Sequence, residues 1–340
     1  GARKAKTNGP GRTCMLALRL RRFRPRRVRP LKCHRSSSGS SSSSSSSSNA
    51  WSSRIVASSL VAMQQAGIDM SKLAPWPSSA GAQKPVVLLG CGSYSPITYL
   101  HLRMFEQARD HMVSGGATVL GGFISPVSDG YKKKGLARAQ HRAAMVGLAV
   151  ASSKWIAPSF WECANDEWTT TYNVLAEHRR RVAAHYERSI DDVRIMLVCG
   201  SDLLDSFNVP QLWAPEDMRA LLSFGMLVLE RAGTDATKVI YENDLMFEHR
   251  ANLHVVKQYI KNEVSSTAIR RSIRRGLSIA YLTPQPVVDY IAEHGLYRGT
   301  DVNAGAAAAA RAEQAQRLVA TSTAAVSAAA AAAAADTQSK

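Results

Sequence analysis

Two segments far apart in the chain carry the residue types that bind phosphate. Residues 92–101 read GSYSPITYLH and end at His101, and residues 264–270 read VSSTAIR and end at Arg270. The first turn of a helix presents unpaired N–H groups and a positive dipole end, which attract anions. Hydroxyl groups and a guanidinium add further donors. Each segment is therefore a candidate phosphate site, although a glycine turn for the first and an N-cap followed by a solvated basic face for the second are the plainer alternatives.

A second glycine turn resembles the first. Residues 89–93 read LGCGS and residues 197–202 read LVCGSD, and each follows an apolar run. If both runs are strands of one parallel sheet, both turns lie at the same edge, and Asp202 can accept hydrogen bonds from sugar hydroxyls. The alternative for either glycine is that it only forms the turn after its strand and has no role in binding.

Other candidate groups are weaker by themselves. Residues 130–135 read GYKKKG and indicate either a cationic lid or a solvated charged loop. Trp161, Trp168 and Trp213 lie in or beside predicted loops, where they would stack on a flat heterocycle or simply pack. Because no triad spacing and no P-loop occurs, an enzyme with this sequence would act by positioning phosphate and stabilising charge.

Strand and helix patterns alternate between these groups. Strands are predicted at residues 86–89, 117–124, 155–158, 193–199, 225–231 and 253–256. Helices are predicted at residues 55–66, 97–112, 137–151, 168–186, 215–224, 235–246, 266–275 and 286–294. This alternation predicts an α/β fold, a doubly wound, Rossmann-like parallel sheet with helices on both faces. The chain is therefore expected to form a single domain with low-complexity tails.

The net charge of +17 is concentrated in one tail. Residues 1–68 hold 14 of the 43 Lys and Arg and none of the 26 acidic residues, so the remainder is nearly neutral. This distribution argues against a nucleic-acid partner for the domain. The Arg-rich residues 19–29 and the following serine run are typical of a transit segment, a nuclear signal or a polyanion-binding patch, or of a mispredicted extension. Localisation is thus cytoplasm or nucleus, or an organelle if the tail is a transit peptide.

Five cysteines without C-x-x-C spacing predict neither a disulfide framework nor a zinc site, so we expect a reducing compartment. No apolar run reaches membrane-spanning length. The domains are predicted as an extension and linker over residues 1–84, a catalytic domain over residues 85–298 and an Ala-rich tail over residues 299–340.

The chain resembles the nicotinamide mononucleotide adenylyltransferases of the nucleotidyltransferase superfamily. The superfamily pattern GxFxPxHxGH aligns with residues 92–101, with Tyr94 for Phe, Thr98 for the first His and Leu100 for the second Gly. The threonine resembles the eukaryotic branch. The second pattern, ISSTxxR, aligns with residues 264–270 with only Ile changed to Val. Between them, residues 125–136, 161–162, 200–207, 209–213 and 231–233 resemble the family's substrate segments in order.

The resemblance implies transfer of the adenylyl group of ATP to nicotinamide mononucleotide, and to nicotinate mononucleotide, giving NAD or its deamido form and pyrophosphate. It implies Mg²⁺, or another divalent cation, carried by the phosphates and water rather than by a protein cage. The implied catalytic residues are His101, Lys133 and Arg270. The implied ATP contacts are Gly92, Ser93, Tyr94, His101, Lys133, Thr267, Ala268, Ile269 and Arg270. The implied mononucleotide or NAD contacts are Tyr131, Trp161, Gly200, Asp202, Leu212, Trp213, Arg231 and Asn262.

Two alternatives stay open at this point. One is a different nucleotidyltransferase, a cytidylyltransferase or pantetheine-phosphate adenylyltransferase, which the tryptophan segments argue against. The other is a non-catalytic chaperone or polyanion-binding protein that functions through its Arg-rich tail. The expected partners are the small-molecule substrates, with no membrane, and a homo-oligomer is allowed.

Overall fold

A six-stranded parallel sheet organises the fold. In the computed structural model, residues 44–65, 67–78, 84–131, 133, 135–230 and 234–299 are described, so the Arg-rich segment and the Ala-rich tail lie outside the described residues. The strands are β1 Val86–Gly92, β2 Val119–Pro126, β3 Ile156–Pro158, β4 Arg194–Gly200, β5 Met226–Leu229 and β6 Leu253–Val256. Their spatial order is β3-β2-β1-β4-β5-β6, and every pairing is parallel. The predicted fold class is confirmed.

Helices cover both faces of the sheet. One face carries α2 Tyr99–Ser114, α3 Ala139–Val150, α9 Ser266–Arg274 and α10 Gln285–Glu293. The opposite face carries α4 Thr171–His185, α5 Ser201–Phe207, α6 Pro215–Phe224, α7 Ala236–Tyr241 and α8 Asp244–Glu248. Side chains of a strand alternate between faces, and in β1 Leu88 joins the first core while Leu89 joins the second. The central strand is therefore buried on both sides, which explains its continuous apolar run.

The fold begins earlier than the predicted Pro85. Helix α1 Ser44–Gln64 contacts α3, and its Ser59 is buried against Gly147. A Cβ added at Gly147 would lie 2.1 Å from Ser59 Oγ, so the missing side chain is what lets the two helices approach. Residue Leu73 likewise fills the space beside Gly121, where an added Cβ would lie 2.6 Å from its Cδ2. The helix predicted over residues 55–66 is present, but it begins earlier, at Ser44, and ends at Gln64, because the serines before Ile55 dilute the apolar pattern.

Two further elements differ from the predictions. Residues 200–202, predicted as a turn, begin helix α5 directly after β4, with Gly200 as the N-cap. The single helix predicted over residues 235–246 is divided into α7 and α8, because the side chain of Asn243 accepts from Met246 N–H and starts a new helix. No helix among the described residues is long and apolar enough to cross a membrane.

Candidate active site

The sheet opens between β1 and β4 at its carboxyl edge. The β1–β4 pairing ends at Leu89 and Leu197, whereas β1 continues to pair with β2 as far as Gly92 and Pro126. The strand order also reverses at β1 and β4, and parallel α/β sheets bind ligands outside such a reversal. Gly92 and Gly200, the two predicted glycine turns, therefore end the two strands that border this crevice.

The loop after β1 is shaped by Tyr94. Its ring is only 6% exposed and lies against the end of β1, where a Cβ added at Gly90 would be 2.9 Å from Tyr94 Oη. A Cβ added at Gly92 would be 3.2 Å from Tyr94 Cζ. Burial raises the pKa of the Tyr94 hydroxyl well above its usual value. Tyr94 thus supports the loop from inside, and any ATP contact would come from its backbone.

Helix α2 presents His101 at its first turn. Thr98 is the N-cap, and its backbone N–H donates to His101 Nδ1 at 2.9 Å while its Oγ1 accepts from His101 N–H at 3.4 Å. Because Nδ1 accepts a hydrogen bond, the neutral ring carries its proton on Nε2. The Tyr94 ring packs edge-on against the imidazole, with ring centroids 5.1 Å apart. The half-buried His101 is therefore held as an N–H donor beside a helix N-terminus.

Helix α9 brings the second predicted segment to the same loop. Ser266 Oγ donates to Pro96 O at 2.7 Å, and Arg270 Nη1 donates to Ser95 O at 2.8 Å. Arg270 Nη2 also donates to Thr267 Oγ1 at 3.3 Å, which holds the guanidinium at the start of the helix. Half-burial lowers the pKa of Arg270. Two helix N-termini, an imidazole N–H and a guanidinium thus converge around residues 93–98.

Two other predicted ATP contacts in α9 point elsewhere. Ile269 is fully buried in the core, and Ala268 N–H already donates to the N-cap Ser265 Oγ at 3.1 Å. Their contribution is to hold the helix in place. Thr267, in contrast, is exposed at the first turn.

The cationic loop lies between β2 and α3. Asp129 begins it, and Asp129 Oδ1 accepts from Ala139 N–H at 2.8 Å at the start of α3. Tyr131 and Lys133 are exposed within the loop, while Lys132 and Lys134 lie outside the described residues.

Trp161 and Trp213 both pack on the core face that carries α4 to α8. Trp213 Nε1 donates to Ser206 Oγ at 3.1 Å, and its ring meets Phe207 edge-on at 5.0 Å. Both tryptophans remain half-buried, and the neighbouring Leu212 is 58% exposed. Each therefore has core contacts and a remaining accessible part. Trp168, the third candidate, is 55% exposed.

A cleft of about 760 Å³ lies beyond the carboxyl ends of β4 and β5. It brings together Asp202 and Asn262, which are predicted from separate segments, whereas Arg231 lies outside the described residues. Five carboxylates and two lysines line it: Asp202, Asp205, Glu230, Asp235, Glu263, Lys257 and Lys261. Such a wall suits hydroxyl and amino donors better than phosphates.

Several buried polar residues near the crevice were not predicted. Glu162 is 2% exposed, its Oε2 accepts from Ser125 Oγ at 2.8 Å, and burial raises its pKa to about 7. Ser95 Oγ lies 2.9 Å from the buried Tyr297 hydroxyl and accepts from Ala137 N–H at 3.0 Å. The fully buried Arg142 lies in α3. A charged residue inside the apolar pattern of residues 137–151 was the one sequence signal that could have indicated Arg142.

Within the described residues, no three His, Cys, Asp or Glu side chains come together in a metal-binding group.

The chain is similar to known proteins over the part that holds this site. Residues 89–272, more than half of the chain, match the cytidylyltransferase-like family. The nicotinamide/nicotinic acid mononucleotide adenylyltransferase 1 of Bos taurus is 42% identical over 248 residues, covering 62% of this chain and 88% of the bovine protein. The nicotinamide/nicotinic acid mononucleotide adenylyltransferase 2 of Saccharomyces cerevisiae is 42% identical over 222 residues, but the match covers only 56% of that longer protein.

Among solved structures, the nicotinic acid mononucleotide adenylyltransferase of Plasmodium falciparum, complexed with NaAD, aligns with a TM-score of 0.46 and 18% identity. That alignment covers 63% of this chain and 97% of the Plasmodium chain.

Proposed function

This chain belongs to the nicotinamide/nicotinic acid mononucleotide adenylyltransferases of the cytidylyltransferase-like family, and on that premise we propose that it transfers the adenylyl group of ATP to nicotinamide mononucleotide. A 5′-phosphate oxygen of the mononucleotide attacks the α-phosphorus of ATP. The bond from the α-phosphorus to the bridging oxygen breaks, and pyrophosphate leaves. The products are NAD and pyrophosphate, or the deamido form of NAD when nicotinate mononucleotide is the acceptor.

The triphosphate fits the convergence around residues 93–98. There the helix N-termini of α2 and α9 supply positive potential, and His101 supplies an Nε2–H donor on a fixed ring. The Arg270 guanidinium carries a permanent charge beside the same loop. Because negative charge grows on the leaving pyrophosphate, donors that are already in place stabilise the transition state without reorganising. We assign this role to His101 and Arg270, with Lys133 reaching the triphosphate from its exposed loop.

The nucleoside parts fit the remaining walls of the crevice. The cleft with Asp202 and Asn262 offers carboxylate and amide oxygens for ribose hydroxyls. Trp161 and Trp213 offer half-buried rings on the opposite core face for stacking on the nicotinamide. With these assignments the two reacting phosphates would meet near residues 93–98, and adenylyl transfer requires such proximity.

A divalent cation, Mg²⁺ in the first instance, would be bound by the ATP phosphates and water in this scheme. When bound it would neutralise part of the triphosphate charge. The chain's own contribution would be Arg270, Lys133 and the two helix N-termini, which address the oxygens that the ion leaves open.

The observation that carries this proposal is the joining of Arg270 to Ser95 and of Ser266 to Pro96, because it makes one site of two distant segments. The test is a panel of acceptors offered to the full chain with ATP or CTP. We expect dinucleotide and pyrophosphate with ATP plus nicotinamide or nicotinate mononucleotide, and neither product with 4′-phosphopantetheine or with CTP and phosphocholine. Turnover of either control pair in preference to the mononucleotides would overturn the assignment.

A further inference from the structure

Arg142 has an unusual environment for a charged residue. Its side chain is fully buried and is the largest fully buried side chain among the described residues. Its guanidinium donates to three backbone oxygens and one carboxylate. Nε donates to Ala137 O at 2.8 Å, and Nη1 donates to Val127 O at 2.6 Å and to Ser93 O at 3.4 Å. Nη2 donates to Asp129 Oδ1 at 2.9 Å. A buried charge is tolerated only when it is paired and hydrogen-bonded, as here.

The partners of Arg142 share one property: they flank the segments that the reaction would use. Val127 and Asp129 lie where the cationic loop begins, and Ala137 lies where it ends. One guanidinium therefore joins both ends of the loop that carries Lys133. Through Ser93 it also touches the phosphate loop after β1. The two segments are separated in sequence but share this single buried group.

Asp129 is the connection that can be changed without opening the core. Its side chain is 56% exposed, yet Oδ1 accepts from both Arg142 and Ala139 N–H. It supplies the negative charge opposite the buried guanidinium and fixes the first residue of the loop to the start of α3. Removing it would leave the Arg142 guanidinium with its three carbonyl acceptors but without this counter-charge, and would also remove the bond from Asp129 to the start of α3.

We propose that Arg142 is a positioning residue that acts through Asp129 on the loop that carries Lys133, the lysine assigned above to the triphosphate. This inference rests on the proposed function, because it assigns the loop a role only if Lys133 binds the triphosphate. It goes beyond a structural ion pair by predicting that Asp129 affects ATP use solely by way of Lys133. The relevant readout is therefore the energetic coupling between the two side chains.

The experiment is a double-mutant cycle on the full chain with Asp129→Ala, Lys133→Ala and the double variant. In the parental background, Asp129→Ala should raise the KM for ATP by about tenfold, near the low end for a hydrogen bond to a charged group, and change kcat less. In the Lys133→Ala background, adding Asp129→Ala should change that KM by less than about twofold, because nothing is left to position. The KM for the mononucleotide should move less than that for ATP.

The matched control is Asp191→Ala, which likewise removes an exposed carboxylate that is paired with an arginine. Asp191 accepts from Arg179 at 3.2 Å, and Arg179 Nε also donates to a carbonyl oxygen, but this pair lies near the opposite, amino-terminal edge of the sheet. The Asp191→Ala variant should leave the KM for ATP and the KM for the mononucleotide unchanged. The thermal unfolding midpoint of each variant separates loss of fold from loss of positioning, and Asp129→Asn, which keeps an oxygen acceptor, should lie between parental and Asp129→Ala in KM.

Equal effects of Asp129→Ala in both backgrounds would overturn the inference, as would a lower unfolding midpoint with an unchanged KM. Should Asp129→Ala fail to fold, the same cycle with Asp129→Asn decides between coupled and additive effects. A Lys133→Ala variant with parental KM would remove the role of Lys133 and this inference with it. Continued NAD formation by the parental chain would leave the proposed reaction standing in that case.

Discussion

At the scale of single residues, the fixed tautomer of His101 makes a specific prediction. His101→Ala removes the Nε2–H donor and should lower kcat by about 10² to 10³, the loss typical of one transition-state donor. His101→Gln keeps an N–H group at a similar reach and should recover part of that loss. The measurement is the steady-state rate of NAD formation at saturating ATP and mononucleotide for each variant.

Unchanged turnover of His101→Ala would remove this side chain from the site. If Ala and Gln variants were equally impaired, the ring would act by shape and not by donating. Circular dichroism of both variants would check that the N-terminus of α2 is retained without the Thr98–His101 hydrogen bond.

The buried Glu162 should make the free energy of unfolding depend on pH. Burial raises its folded-state pKa to about 7 from the unfolded value of 4.5, so the folded state binds the proton more tightly. The contribution of this group to the free energy of unfolding is therefore favourable below the unfolded value and falls as pH rises from about 4.5 to 7. Glu162→Gln, which cannot ionise, should show a flatter fall between pH 5 and pH 8.

Urea unfolding at pH 5 and at pH 8 measures the change in the free energy of unfolding between these pH values, for the parental and the Glu162→Gln chains. An identical difference in both would mean that Glu162 does not titrate in this range. Glu177 provides a control, because its exposed pairing with Arg180 holds its pKa low, near 2, outside the window.

Local sequence patterns indicate where elements begin and end, but not which way each side chain faces. The strand end at Gly92 and the helix starts near His101 and Arg270 could be predicted because such boundaries leave a local pattern. Tyr94 and Ile269 were predicted as contacts, but their side chains fill the core, since a linear pattern does not show which way each residue faces. Ser95 and Tyr297, 202 residues apart, meet through a hydrogen bond that no local spacing indicates.

At the scale of elements, contact between α1 and α3 depends on a missing side chain. Gly147→Ala would place a Cβ 2.1 Å from Ser59 Oγ, so the helices must move apart. We expect a loss of about 1–3 kcal/mol in the free energy of unfolding, as for other overpacked cores. Adding Ser59→Ala should recover most of it, because the hydroxyl is the nearest clashing atom.

Denaturant unfolding of the three variants measures this effect. Gly115→Ala is the matched control, since its added Cβ would have only ordinary contacts of 3.4 Å or more. A Gly147→Ala chain as stable as the parent would show that α1 does not pack closely on α3.

The sheet was the most predictable set of elements. Strands buried on both faces leave continuous apolar runs, and the helices between them leave a 3.6-residue period. Helix α5 was missed because Gly200 and Ser201 favour a turn in isolation. The helix predicted over residues 55–66 was found, but it begins earlier, at Ser44, in a serine-rich stretch whose local pattern does not specify a helix start.

At the scale of the whole molecule, the excess positive charge and the folded domain lie in different parts of the sequence. The Arg-rich residues carry much of the excess positive charge, while the site lies in a nearly neutral domain. Deleting residues 1–43 should therefore leave kcat and KM unchanged. Deleting residues 1–84 should lower the unfolding midpoint, because it also removes α1, Leu73 and the bridge between Ile68 and Ser159.

Activity and thermal unfolding of both truncated chains test this division. Loss of NAD formation in the shorter deletion would give the basic segment a role in the chemistry. An unchanged unfolding midpoint in the longer deletion would place the start of the domain back at Pro85.

The central claim is that residues 93–98 and α9 form one ATP site that makes NAD. The most direct test is to quantify NAD and pyrophosphate formed from ATP and nicotinamide mononucleotide by the full chain and by Arg270→Ala. We expect equal amounts of the two products and a rate lower by about 10² to 10³ in the variant, with an unchanged unfolding midpoint. No NAD from the parental chain, or a parental rate in a folded Arg270→Ala chain, would contradict it.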